Sequence, residues 1–77
     1  MPNLTSSAVA AKALRLAAAF LYSEESNETE VLIHDILCYL SWYLEAETVL
    51  SQRNHLGYAK ELIGELYDSL SSELGAE

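Results

Sequence analysis

The sequence predicts an all-α fold, a three-helix unit with a long central helix and antiparallel neighbours, paired into a helical-bundle homodimer. Apolar residues recur at helical spacing, and no segment alternates as a strand would. The helix-breaking residues are few: one proline, Pro2, and three glycines. The 77 residues form one small domain, 1–77, and a chain of this size buries only about 60% of its unfolded surface.

The first helix is predicted over residues 6–22, with Thr5 or Ser6 as its N-cap. Small residues at Ala10, Ala13 and Ala17 run along the middle of one face. Larger apolar residues flank them, namely Leu14 and Leu21 on one side and Val9, Leu16 and Phe20 on the other. A face of this kind lets another helix come close, so we expect it to dock on the second helix.

The second helix is predicted over residues 28–52, because Asn27 and Glu30 have the spacing of a capping box. Its segment 31–50 is apolar around most of its circumference. The polar strip comprises Glu30, His34, Ser41, Glu45, Thr48 and Gln52. A helix with so little polar surface needs neighbours on several sides.

The third helix is predicted over residues 56–74, after a polar turn at 53–55, with Gly75 as its C-cap. One stripe is apolar and should face the core: Leu56, Ala59, Leu62, Ile63, Leu66, Leu70 and Leu74, with Tyr67 at its edge. The opposite side is polar, as in a helix that packs on one face only.

The second helix also carries an apolar patch that the first and third helices would leave partly exposed to solvent. We call it the aromatic patch, and it comprises Val31, Cys38, Tyr39, Trp42 and Val49. Aromatic residues with a polar tip are favoured at interfaces. We therefore expect the second helices of two chains to meet here at a two-fold axis. The alternative is a monomer with a half-exposed patch.

The net charge of −8, from 12 acids and 4 bases, disfavours direct binding of nucleic acid and suits a basic partner protein. Glu61, Glu65 and Asp68 form an outward row on the third helix, here called the acidic row. Such a row can imitate the charges of a nucleic acid and occupy a basic groove on a partner. The alternative is an ordinary solvated face.

The sequence contains no pattern that specifies catalysis or a cofactor. Cys38 is the only cysteine, and His34 lies within reach of it, but no third group or oxyanion site is evident. Glu30, His34 and Cys38 share one side of the second helix and are residue types that bind transition metals. We nevertheless expect no metal site, because Glu30 and His34 lie on the polar strip and Cys38 borders it as a small apolar residue. A single thiol fits a reducing compartment such as the cytoplasm. Charged residues inside 31–50 argue against a membrane span.

These observations favour a non-enzymatic, acidic protein–protein interaction module that binds or inhibits a partner, as phage-type inhibitors and bacterial regulators do. A nucleic-acid-mimicking inhibitor of a basic nucleic-acid-binding protein is one alternative. A helical scaffold that binds a small ligand or metal at a dimer seam is another.

Overall fold

The computed structural model describes residues 5–76 and confirms the all-α fold. The three helices are α1 (Ser6–Leu21), α2 (Glu28–Glu45) and α3 (Val49–Ala76), and residues 5–76 include no strand. Within that range, no helix is both long enough and apolar enough to cross a membrane.

The start of each of the first two helices follows from its capping residue. The Thr5 side chain accepts a hydrogen bond from the Ala8 amide at the start of α1. At the start of α2, the Asn27 side chain accepts from the Glu30 amide at 2.8 Å, and the Glu30 carboxylate accepts from the Asn27 amide. This reciprocal pair is the predicted capping box, and it satisfies two amides that the helix itself cannot bond.

The second helix ends at Glu45, not near Gln52 as predicted. Ala46 has extended backbone angles, and the Ser51 amide donates to the Thr48 hydroxyl at 3.1 Å. A threonine in this position caps a new helix, so the turn lies at 46–48. The predicted polar turn at Arg53–His55 is wrong, since those residues are helical.

The longest helix is therefore α3, with 28 residues, and not the central helix as predicted. Gly57 and Gly64 lie inside it. Gly75 is helical as well, so it does not act as the predicted C-cap.

The central position belongs to α2, because α1 packs on one side of it and α3 on the other. Within residues 5–76, α1 and α3 do not pack against each other. Contacts from Tyr22 to His34 and from Arg15 to Glu45 show that α1 and α2 are antiparallel. Tyr39 of α2 contacts Tyr58 of α3, and these two helices form the second antiparallel pair. The result is a flat layer measuring 54 × 28 × 17 Å.

The helix crossings use small side chains. Ala11 and Ala18 of α1 and Ala59 of α3 are buried, and so is Ser41 of α2. Ser41 lies on the same row of α2 as His34, which contacts Tyr22 at the end of α1. The Ser41 hydroxyl donates to the Cys38 carbonyl at 2.7 Å. Its predicted place on the polar surface is therefore wrong, because Ser41 is fully buried on the side of α2 that faces α1.

The alanine face predicted for α1 is also wrong. Ala10, Ala13 and Ala17 are exposed, whereas Ala11 and Ala18 meet α2. Both sets have helical spacing, and the docking set is the one flanked by the half-buried Leu14 and Leu21.

The layer buries little of its apolar content. Ile36 is the one large hydrophobic residue among those classed as buried in the described chain, and the others are alanines. The chain exposes 6091 Å², whereas a compact 8.5 kDa monomer is expected to expose about 4,700 Å². The surplus, more than about 1,000 Å², is the main feature that any account of function has to explain.

Candidate interaction surfaces

Two members of the aromatic patch pack within the chain. The Tyr39 ring stacks on Tyr58 of α3 with centroids 5.2 Å apart, and it meets Trp42 edge-on at 5.4 Å. Trp42 also lies against His55 of α3, with centroids 6.1 Å apart. The third helix therefore covers much of what was predicted to meet a second chain, although Trp42 remains 44% exposed.

Val49 is separated from the rest of the aromatic patch. It follows the turn at 46–48 and begins α3, where it is 80% exposed. There it lines a surface groove, here called the α3 groove, with Tyr43, Gln52, Arg53, Leu56, Gly57 and Lys60. Its predicted grouping with Val31 and Cys38 assumed that the second helix continued through residue 50, which it does not.

A hydrogen-bonded series joins Asp35, His34 and Cys38 on α2. The His34 Nδ1 atom lies 2.9 Å from an Asp35 carboxylate oxygen, and its Nε2 atom lies 3.7 Å from the Cys38 sulfur. Sequence reasoning found no third group for a cysteine–histidine pair, and Asp35 is that group. The adjacency of Asp35 and His34 in the sequence is the signal that could have identified it, because an aspartate next to a histidine can reach its ring.

This series lacks the electrostatics of an activated thiol. Burial, and next the negative charge of Asp35, raise the pKa of Cys38 above its ordinary value, while Arg15 lowers it by less. A nucleophilic cysteine needs the opposite shift, because the thiolate is the reactive form.

The predicted metal ligands do not converge. The Glu30 carboxylate is held at the start of α2 by the Asn27 amide, away from the His34 and Cys38 pair. Within the described chain, no group of three or more metal-binding side chains has a suitable arrangement.

The acidic row lies where it was predicted, along the outer side of α3. Glu61, Glu65 and Asp68 are all exposed. Among residues 5–76 the ion pair of a permanently charged base joins Arg15 to Glu45, and His34 contacts Asp35. Neither contact involves the acidic row, so its charge is left to solvent or to a partner.

A further apolar surface runs along α3, here called the α3 seam: Val49, Leu56, Ile63, Tyr67, Leu70 and Leu74. Each of these side chains is about half exposed or more. Most of them were predicted to face the core. They do not, because α2 contacts only the neighbouring side of α3, where Ala59, Leu62 and Leu66 lie.

The outer side of α1 carries a second apolar surface. Val9, Leu16 and Phe20, here called the α1 stripe, lie opposite the buried Ala11 and Ala18. Phe20 is 85% exposed. Sequence reasoning placed these residues on the docking flank, so their exposure is a second correction to the faces of α1.

Comparison with known proteins provides no relative: no family model, curated protein or solved structure matches the chain.

Proposed function

We propose that this chain is a non-enzymatic interaction protein that binds a partner protein and covers part of its surface. The observation that carries the proposal is the distribution of apolar side chains. Large residues lie on the outer sides of α1 and α3, while alanines and one isoleucine make up the buried apolar residues of the described chain. Exposed apolar surface on this scale is typical of interaction sites.

The surface best suited to a partner protein is the α1 stripe. Its residues, spaced seven and four apart, present an anchor row like that of an amphipathic helix docking in a groove. The stripe points away from α2, so a partner could cover it without disturbing the α1–α2 contact. An apolar groove on the partner is the surface that would fit it.

This proposal is tested by comparing Phe20→Asp and Leu16→Asp with a matched control, Leu50→Asp. Leu50 is also a large exposed residue, but it lies outside the α1 stripe and the α3 seam. The tagged wild type and the control should capture the same protein from native lysate, and the two α1 variants should not. Equal capture by all four proteins would refute the assignment.

Self-association is part of the same proposal. A standard protein interface buries about 800 Å² per partner. The surface that this chain exposes beyond that of a compact monomer is larger than the area one partner buries in such an interface. A homodimer is the simplest way to cover it. The reducing conditions suited to the single thiol are those of the cytoplasm, which we propose as its compartment.

A second candidate is inhibition by nucleic-acid mimicry, favoured by the exposed acidic row. Its target would be a basic nucleic-acid-binding protein. Replacing the row by Glu61→Gln, Glu65→Gln and Asp68→Asn should abolish binding to such a target. The control removes the same charge elsewhere, by Glu24→Gln, Glu25→Gln and Glu28→Gln, and should bind nearly as well. Equal loss in both sets would indicate a dependence on net charge alone.

The ligand-scaffold alternative receives no specific support from residues 5–76. The lining of the α3 groove is a mixture of apolar, amide and cationic side chains. It presents a surface for another chain more readily than an enclosed site.

A further inference from the structure

We infer that two copies of this chain associate through antiparallel α3 helices, each copy placing its last turns in the α3 groove of the other. The inference rests on the self-association proposed above and gives it a surface and a geometry. It also moves the interface from the aromatic patch to the α3 seam.

The periodicity of the α3 seam is that of a helix-pairing surface. Val49, Leu56, Ile63 and Leu70 follow one another at intervals of seven residues, and Tyr67 and Leu74 continue the neighbouring row. An apolar row that repeats every seven residues stays on the same side of a helix that winds around another. The seam runs along nearly the whole of α3, although α2 is much shorter.

The difference in length leaves the end of α3 without a neighbour. The antiparallel α2 has 18 residues, and counting 18 residues from Val49 reaches Leu66. All residues from 67 to 75 are exposed. This free segment is about 14 Å long, and it presents Tyr67, Leu70 and Leu74 on one side.

The α3 groove lies at the other end of the same helix. Tyr43 of α2 lines the groove together with Val49 and Leu56 of α3, which make part of its lining apolar. An antiparallel pair centred on Ile63 sets Leu70 of one copy opposite Leu56 of the other, so each free segment reaches the other copy's groove. The two contacts are then identical, as a two-fold axis requires.

The charges of α3 favour this direction over the parallel one. Arg53, Lys60 and Glu61 lie in its first half, which carries a net charge of +1, whereas Glu65, Asp68 and Glu73 give the second half −3. An antiparallel pair sets the basic half against the acidic half. A parallel pair would instead set the two acidic halves side by side, which is less favourable.

The first test is sedimentation equilibrium at micromolar concentration. The wild type and Leu50→Asp should sediment as dimers, and Ile63→Asp should weaken association at least about tenfold. Because Ile63 is half exposed in the monomer, circular dichroism should show that this variant keeps its helices. Leu70→Lys, in the free segment, provides a second variant that should weaken association similarly. A monomeric wild type, or dimers unaffected by both seam variants, would overturn the inference.

The second test establishes direction by disulfide trapping in a Cys38→Ser background. An antiparallel pair should cross-link Ile63→Cys to itself, and Leu56→Cys to Leu70→Cys when the two proteins are mixed. Leu56→Cys alone should not cross-link, because its two copies would lie about 21 Å apart along the helix, far beyond disulfide range. Efficient cross-linking of Leu56→Cys to itself would instead demonstrate a parallel pair.

These outcomes separate the inference from the proposed function. If the seam variants become monomers but still capture the partner, both ideas hold and use different surfaces. If the wild type is a monomer that captures a partner through Phe20, the proposed partner binding stands, whereas self-association and the inference that rests on it fail. A dimer that captures no partner in the lysate test supports the inference and contradicts the proposed function.

Discussion

Replacing Gly64 by alanine should stabilise the protein. The residue lies in the middle of α3 with ordinary negative φ, and a Cβ atom placed there would meet nothing within 4 Å. Glycine in a helix interior is less favourable than alanine by about 1 kcal/mol, because it loses more backbone freedom on folding. For a domain of this size, 1 kcal/mol corresponds to a rise of about 4–8 °C in Tm.

Thermal unfolding followed by circular dichroism provides the assay, and Gly75→Ala is the matched control. Gly75 has the same open surroundings but lies at the end of α3, where a helix frays and propensity contributes less. The gain should also appear in the proposed dimer. Gly64 borders the α3 seam, and paired helices 8–10 Å apart have room for a methyl group beside the seam. A fall in Tm for Gly64→Ala would refute this reasoning, because it would require another chain in direct contact with the glycine.

Three further predictions concern packing and the thiol. Tyr58→Ala should lower the free energy of unfolding by about 1–2 kcal/mol in urea titrations, because it removes the half-buried ring stacked on Tyr39. Tyr58→Phe keeps that ring and should be nearly neutral, so equal losses would contradict the stacking account. Ser41→Leu should cost about 1–3 kcal/mol by overpacking the α1–α2 crossing, whereas Ser41→Ala should be tolerated. If Ser41→Leu unfolds at the wild-type temperature, the close crossing is wrong. Burial raises the pKa of Cys38 in the folded state, so folding favours the protonated thiol. The contribution of Cys38 to the free energy of unfolding is therefore fully present at neutral pH and is lost as the pH rises through the folded-state pKa of the thiol. Alkylation of Cys38 should accordingly need higher pH than alkylation of free cysteine, and Asp35→Asn should shift the profile downward. A profile identical to that of free cysteine would contradict the raised pKa.

The sequence predicted the helical content and the start of α2 because both depend on local chemistry. Asn27 and Glu30 bond each other across three residues, so their spacing alone specifies the cap. The cap at Thr48 is equally local and could have been recognised from its position before a helical run. It was missed because Val49 and Leu50 continue the helical spacing of the apolar residues beyond the polar pair Glu47 and Thr48.

The packing faces were harder to predict because they depend on which neighbour is present. Leu56 and Ala59 belong to one apolar stripe in the sequence, but α2 covers only Ala59. For α1, two sets of alanines have helical spacing, and flanking contacts decide between them. Helical spacing shows that a face is apolar, whereas the length and position of its neighbour decide whether that face is buried.

The account's central claim is that other chains cover the apolar sides of α1 and α3. Native mass spectrometry of the untagged protein, purified gently from its own cells, tests that claim most directly. The account predicts complexes that contain two copies of this 8.5 kDa chain together with a partner protein. A single unaccompanied chain across the micromolar range would contradict it.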